Sequence, residues 1–258
     1  MLLDLRVSSS VQADDIALLS PTVNGMQTLR DGPFNFRGGG YGIITSTKHV
    51  GIILDSNFKT VEQTLNACRM LRSVTLSIMN SGIHPSILNP VTCSIIVAQL
   101  SYTKALYGCE LWNELTRTGI LMLERAHRFI CRVLQGLPPR TRSDKCTSLL
   151  GWLTIESYID KCKLLFFGRL YRLNSRHLPK RILISRLFEF KYQCVYNQLG
   201  FVPDTYRIAK KYDLLKYIID FSANGTFPSK TIWKKLVICN FQRTEQSSWS
   251  ERISSDSD

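Results

Sequence analysis

The sequence has no long apolar run, and no stretch approaches the roughly 20 residues a membrane span requires. Met1 to Val7 is too short for a secretory leader and carries Asp4. An intracellular protein is therefore expected, nuclear or cytoplasmic, with no membrane partner. The eight cysteines, at 68, 93, 109, 131, 146, 162, 194 and 239, include no Cys-x-x-Cys pair, and none has a histidine at a zinc-finger offset. They read mostly as small buried hydrophobes, and a metal-independent C-terminus is expected. Gly38-Gly39-Gly40 lacks the Gly-Lys-Ser/Thr ending of a phosphate loop and reads as a flexible join. His49, His84 and His177 have no acidic or cysteine partner nearby in sequence, which argues against a catalytic triad.

Acidic charge is also scarce. Against 33 Lys and Arg stand 20 Asp and Glu, a formal charge of +13. That excess implies a polyanionic partner, and without a membrane segment nucleic acid is favoured over a lipid surface. A chain of 258 residues with 44% hydrophobic content can build a real core in one or two domains.

After the first 55 or so residues, which are strand-like and glycine-rich, helical periodicity dominates. Val61, Leu65, Cys68, Leu71, Val74 and Ile78 recur at three and four, predicting a helix over Phe58 to Asn80 that Gly82 and Pro85 end. A second helix is expected from Ile87 to Leu106, with Pro90 in its first turn. The third, Thr116 to Gln135, buries Ile120, Leu123, His127, Ile130 and Leu134 and stops at Gly136 and Pro138. A fourth runs from Ile155 to Leu173, with Lys161, Lys163, Arg169 and Arg172 expected on its solvent side. Short helices are expected around Arg181 to Phe190 and Arg207 to Ile219, and the serine-rich tail, 243–258, is expected to be disordered. His127, Trp112 and Trp152 read as core residues rather than as a base or stacking platforms.

Arg125, Arg128 and Arg132 fall on one face of the third helix, and Arg140, Arg142 and Lys145 follow in the proline-rich loop. Such a stripe on one helix is most often solvated surface. Continued into a basic loop, with Tyr107 and Trp112 nearby in sequence, it is a candidate for holding a nucleic-acid backbone without reading bases.

Two adjacent carboxylates, Asp14 and Asp15, lie between apolar runs in Val11-Gln12-Ala13-Asp14-Asp15-Ile16-Ala17-Leu18-Leu19-Ser20. Paired hard oxygens suit Mg²⁺, which keeps its other positions for water and phosphate. This stretch closely resembles the third catalytic motif of reverse transcriptases, the aromatic-Ala-Asp-Asp hairpin of the palm, in the form found in non-LTR (LINE-type) retrotransposons. Lys48-His49-Val50-Gly51-Ile52-Ile53-Leu54-Asp55 looks like the strand that follows that palm. Leu106-Tyr107-Gly108-Cys109-Glu110-Leu111-Trp112-Asn113, Leu123-Glu124-Arg125-Ala126-His127-Arg128, Gln135-Gly136-Leu137-Pro138-Pro139-Arg140-Thr141 and Leu164-Leu165-Phe166-Phe167-Gly168-Arg169-Leu170 follow in the order and spacing of the helical region beyond it.

The resemblance implies a mostly α chain: a small, incomplete α+β palm remnant over 1–56, then a helical thumb-like bundle over 57–242. It implies Asp14 and Asp15 as catalytic metal ligands for Mg²⁺, and a template-primer duplex or RNA as partner, clamped by the thumb. It also implies parts that would lie before Met1: a further metal-binding Asp, the fingers and an endonuclease. The sequence departs from the pattern at Gln12, where the family carries Tyr or Phe. Between Asp15 and Gly51 it is shorter than expected, and Pro21 to Phe36 supplies no lysine for the family's motif D. Three readings follow: part of an RNA-directed DNA polymerase, inactive alone; a non-catalytic basic helical module; or a degenerate remnant without a role.

Overall fold

The computed structural model describes residues 9–12, 15–18, 46–55, 60–113, 115–193 and 200–254. The chain divides into two compact units, Met1–Ile44 and Thr45–Asp258. In the first, β1 (Ser9–Gln12) pairs antiparallel with β2 (Asp15–Leu18), Ser9 opposite Leu18 and Gln12 opposite Asp15. Gly38-Gly39-Gly40 lies outside the described residues.

The second unit is mostly helical and opens on a hairpin, β3 (Ser46–His49) against β4 (Ile52–Asp55). Its two turn residues, Val50 and Gly51, have φ of 47° and 82°. Positive φ at both central residues is the turn whose twist matches the flanking strands. Glycine takes that conformation freely, whereas Val50 is held there against its branched side chain. The hairpin falls in the second compact unit with the helices. The Ile53 N–H donates to Gln63 Oε1 at 3.0 Å, tying β4 to the first helix.

That helix, α1 (Val61–Asn80), buries Ala67, Leu71, Thr75 and Ile78; of the expected stripe only Leu71 and Ile78 are buried, with Leu65, Cys68 and Val74 half-buried and Val61 exposed, a correction to the face it turns inward. In α2 (Pro90–Val97), Asn89 caps the Val91 N–H at 2.8 Å and Pro90 takes the first turn, where its missing N–H costs nothing. A π-helical turn, Ala98–Tyr102, and one further turn, Thr103–Ala105, extend it to the left-handed Gly108. In α3 (Arg117–Gln135), Thr116 caps the Gly119 N–H, and Leu123, His127, Ile130 and Leu134 are buried as expected. At its end Gly136 is left-handed, the Leu137 N–H reaches Arg132 O at 2.9 Å and the Gly136 N–H reaches Val133 O at 3.3 Å. This is the glycine-terminated cap the sequence called for.

After the short α4 (Ser143–Ser148), α5 (Ile155–Arg172) joins two cores. Ile155 and Ile159 pack with α1, α2 and α3, whereas Leu164 and Phe167 pack with α6 (Leu178–Gln193), α7 (Phe201–Lys211), α8 (Leu215–Asn224) and α9 (Lys230–Ser254).

Three further expectations are corrected. Arg207 to Ile219 is not one helix, because Asp213 turns left-handed at φ 56° between α7 and α8, a conformation a short Asp side chain tolerates. The serine-rich tail from Arg243 continues α9 as far as Ser254. Glu245 Oε1 anchors it to the start of α5, accepting from Thr154 Oγ1 at 2.7 Å and from Ser157 Oγ. Lys163 is buried rather than solvated, since α7 covers that side of α5 and Asp204 pairs with its ammonium.

Candidate functional site

The basic surface is built at the C-terminal half of α3. The helix is fixed by burying Leu123, Ala126, Ile130 and Leu134 against α1, which leaves Arg125 on the exposed face. One turn on, Arg128 is half-buried, its Nε 3.7 Å from Glu124 Oε2. Glu124 has a second task, since its Oε1 accepts the Ile155 N–H at 2.7 Å and so holds the start of α5. Burial pushes the Glu124 carboxyl above its usual range, against the opposing pull of the Ile155 N–H and the Arg128 guanidinium. Arg132 donates from Nη1 to Pro139 O at 2.6 Å, pinning the following loop to the helix end. Gln135 adds a second strap, its Nε2 donating to Cys131 O and to Cys146 O, both at 2.8 Å.

These straps decide where the loop cations go. Arg140, Arg142 and Lys145 are all exposed, on a segment tied back to α3 at Pro139 and Cys146. The structure thus gathers Arg132, Arg140, Arg142 and Lys145 at one end of α3. Arg125, seven residues before Arg132 in the helix, sits about 10 Å up the axis by helical rise. Arg128 and Arg132 each carry a structural bond as well, which the sequence spacing left unseen. The Glu124–Arg128 pair was legible as an i, i+4 spacing.

The aromatic side chains expected beside this surface divide. Trp112 is buried in the first core, whereas Tyr107 is exposed, with the position of a side chain at Gly51 3.5 Å from its ring. Gly108 meets the same hairpin: a Cβ there would stand 2.7 Å from Ile52 Cδ1. Glycine is required at 108 both for the left-handed turn (φ 71°) and for this approach. The stretch around Gly51 and the stretch around Gly108, more than fifty residues apart in sequence, are in direct contact.

No family model, no curated protein and no solved structure matches this chain.

Of the two candidate metal ligands, Asp14 lies outside the described residues and Asp15 opens β2. Carboxylate oxygens are the donor type Mg²⁺ takes, but two such groups make only part of a site. Among the described residues no group of three or more His, Cys, Asp or Glu side chains could hold a metal ion. Among them, too, no helix is long and apolar enough to cross a membrane.

Proposed function

We propose that this chain is the C-terminal part of a non-LTR retrotransposon reverse transcriptase, and that the capacity it retains is to hold a nucleic-acid backbone. The observation that carries this reading is the packing of the Gly108 turn on the β3–β4 hairpin. It joins two separate stretches of the resemblance into one piece of structure, at a glycine no other residue can replace without moving Ile52. The antiparallel strands flanking Ala13 and Asp14 add support, since the resemblance calls for a hairpin around that doublet.

On this reading Arg125, Arg128, Arg132, Arg140, Arg142 and Lys145 neutralise phosphates of a duplex or RNA, giving salt-dependent binding with little sequence preference. Asp14 and Asp15 are the family's Mg²⁺ ligands, and the metal would supply charge stabilisation for phosphoryl-type transfer. On this reading polymerisation also needs the family's further metal-binding Asp and the fingers that position template and nucleotide, so primer extension by these 258 residues alone is not expected. The test supplies primed RNA template, deoxynucleotides and Mg²⁺ or Mn²⁺, and measures primer extension and template binding side by side. Binding without extension is expected. Extension that Asp14→Ala and Asp15→Ala abolish would show a working polymerase instead, and absence of binding would leave an inert remnant.

A further inference from the structure

Behind α3, on the side away from Arg125, a cavity of about 290 Å³ opens among the π-helical turn, α3, the loop before α5, α5 itself and α9. Four rings line it. Trp152 stacks on His127 with centroids 5.7 Å apart and planes at 25°. Tyr102 stands edge-on to Trp152 at 5.2 Å and tilted to Tyr158 at 5.7 Å. Tyr102 is aimed inward by the π-helical turn, an uncommon feature that recurs at functional sites. Its hydroxyl bonds His127 Nδ1 at 2.5 Å. Burial holds the His127 imidazole down to about 4, so this floor is uncharged at neutral pH.

One charge lines the cavity. Lys161 places its ammonium 4.7 Å from the centroid of the Tyr158 ring, and burial lowers its pKa. Among the described residues no carboxylate pairs with it. A half-buried cation without a counter-ion, beside flat apolar faces, fits a ligand that is planar at one end and anionic at the other. Gln242, at the rim on α9, offers an amide that both donates and accepts. The volume, about 290 Å³, lies just below the roughly 300–1,000 Å³ of small-molecule sites.

We propose that this cavity binds a single nucleotide, its base against the Tyr102, Trp152 and Tyr158 rings, its edge at Gln242 and its phosphate at Lys161. The choice of a nucleotide over other planar anions rests on the proposed nucleic-acid function; the cavity does not. Two sources share this chemistry, a free mononucleotide and an unpaired residue of a bound strand.

The test uses the full chain and reads tryptophan fluorescence with adenosine 5′-monophosphate, adenosine, a short single-stranded RNA and a blunt duplex. Trp152→Phe keeps a ring in place while removing the reporter, and identifies quenching that belongs to this site. Quenching by the mononucleotide, weaker with adenosine and reduced to the adenosine level by Lys161→Gln, is the expected result. Isothermal titration calorimetry with the mononucleotide, which needs no reporter at this position, is expected to show Trp152→Ala weakening binding about fivefold or more, the low end for loss of one stacking ring, with a thermal melt confirming that it folds. Quenching by single-stranded RNA but not by the mononucleotide would assign the site to a residue of a strand. If neither ligand quenches Trp152, the proposal is overturned even where the duplex binds normally. Quenching by the mononucleotide with no duplex binding would instead leave the cavity standing and remove the nucleic-acid function.

Discussion

Gly168→Ala is expected to destabilise the helical unit, the opposite of the usual sign. Inside a helix, alanine in place of glycine ordinarily gains about 1 kcal/mol. Gly168 lies in α5, where a Cβ would stand 2.5 Å from both Cδ1 and Nε1 of Trp233 and 3.3 Å from Arg172 Nη2. The indole has no room to give. Trp233 is fully buried, its Nε1 donates to Leu164 O at 2.9 Å, and Phe227 closes on it with ring centroids 4.7 Å apart. Overpacking of this kind costs about 1–3 kcal/mol, and breaking a buried hydrogen bond costs about 1–3 kcal/mol more. Less the helix gain, the net is about 3 kcal/mol, which in a domain of this size lowers the melting temperature by about 6–12 °C. The assay is thermal unfolding followed by far-UV circular dichroism. In a Trp233→Ala background, which removes both clashing atoms, the penalty should largely disappear, a coupling that assigns it to the indole. Melting of Gly168→Ala at or above the parent temperature would refute the packing of α9 on α5.

The buried Lys163–Asp204 pair should respond asymmetrically. Asp204→Asn strands the Lys163 ammonium, 3% exposed, and is expected to cost about 3–5 kcal/mol; Lys163→Met should cost clearly less, because Asp204 keeps Arg207 at 3.2 Å. Denaturant midpoints of the two variants check the order, and equal losses would contradict it. His127 should make the fold acid-sensitive: its folded pKa of about 4 lies below the unfolded 6.5, so the unfolded chain binds the extra proton between those values. Stability is full above pH 6.5 and falls by up to about 1.4 kcal/mol per pH unit on acidification towards pH 4. The raised carboxyl of Glu124 works in the opposite sense as pH falls, so the readout is the difference between the parent and His127→Gln. Parallel stability profiles for the two would show that the imidazole is not held neutral.

Most of the helical unit was legible, because each long helix writes its buried face into its own sequence. The α3 stripe and the Gly136 stop are local features, and both stand where the spacing put them. What escaped depends on partners far along the chain. Lys163 looked like part of a solvated face, since nothing near it in sequence announces that α7 will bring Asp204 to cover it. The tail looked disordered because its composition is polar, and the contact that anchors it joins Glu245 to Thr154 and Ser157, about ninety residues earlier. The π-helical turn was invisible because nothing in Ala98-Gln99-Leu100-Ser101-Tyr102 sets it apart from an ordinary helical stretch, and with it went the cavity that Tyr102 lines. Of the candidate site, the basic residues of α3 and its loop were legible as a cluster. The bonds of Arg128 to Glu124 and of Arg132 to Pro139 were not read, although the first follows from i, i+4 spacing.

Nucleic-acid binding as a function of salt tests the central claim most directly. The parent should bind an RNA–DNA or DNA duplex with log affinity falling linearly against log salt, at about 0.9 per phosphate neutralised. Arg125, Arg140 and Lys145 are exposed and free of the structural bonds that Arg128 and Arg132 carry, so changing those three to Gln leaves the fold intact. The account predicts a slope shallower by up to about three phosphate contacts, with no change in sequence preference. A triple variant that keeps the parent's affinity and slope would contradict it and reduce this surface to ordinary solvated charge.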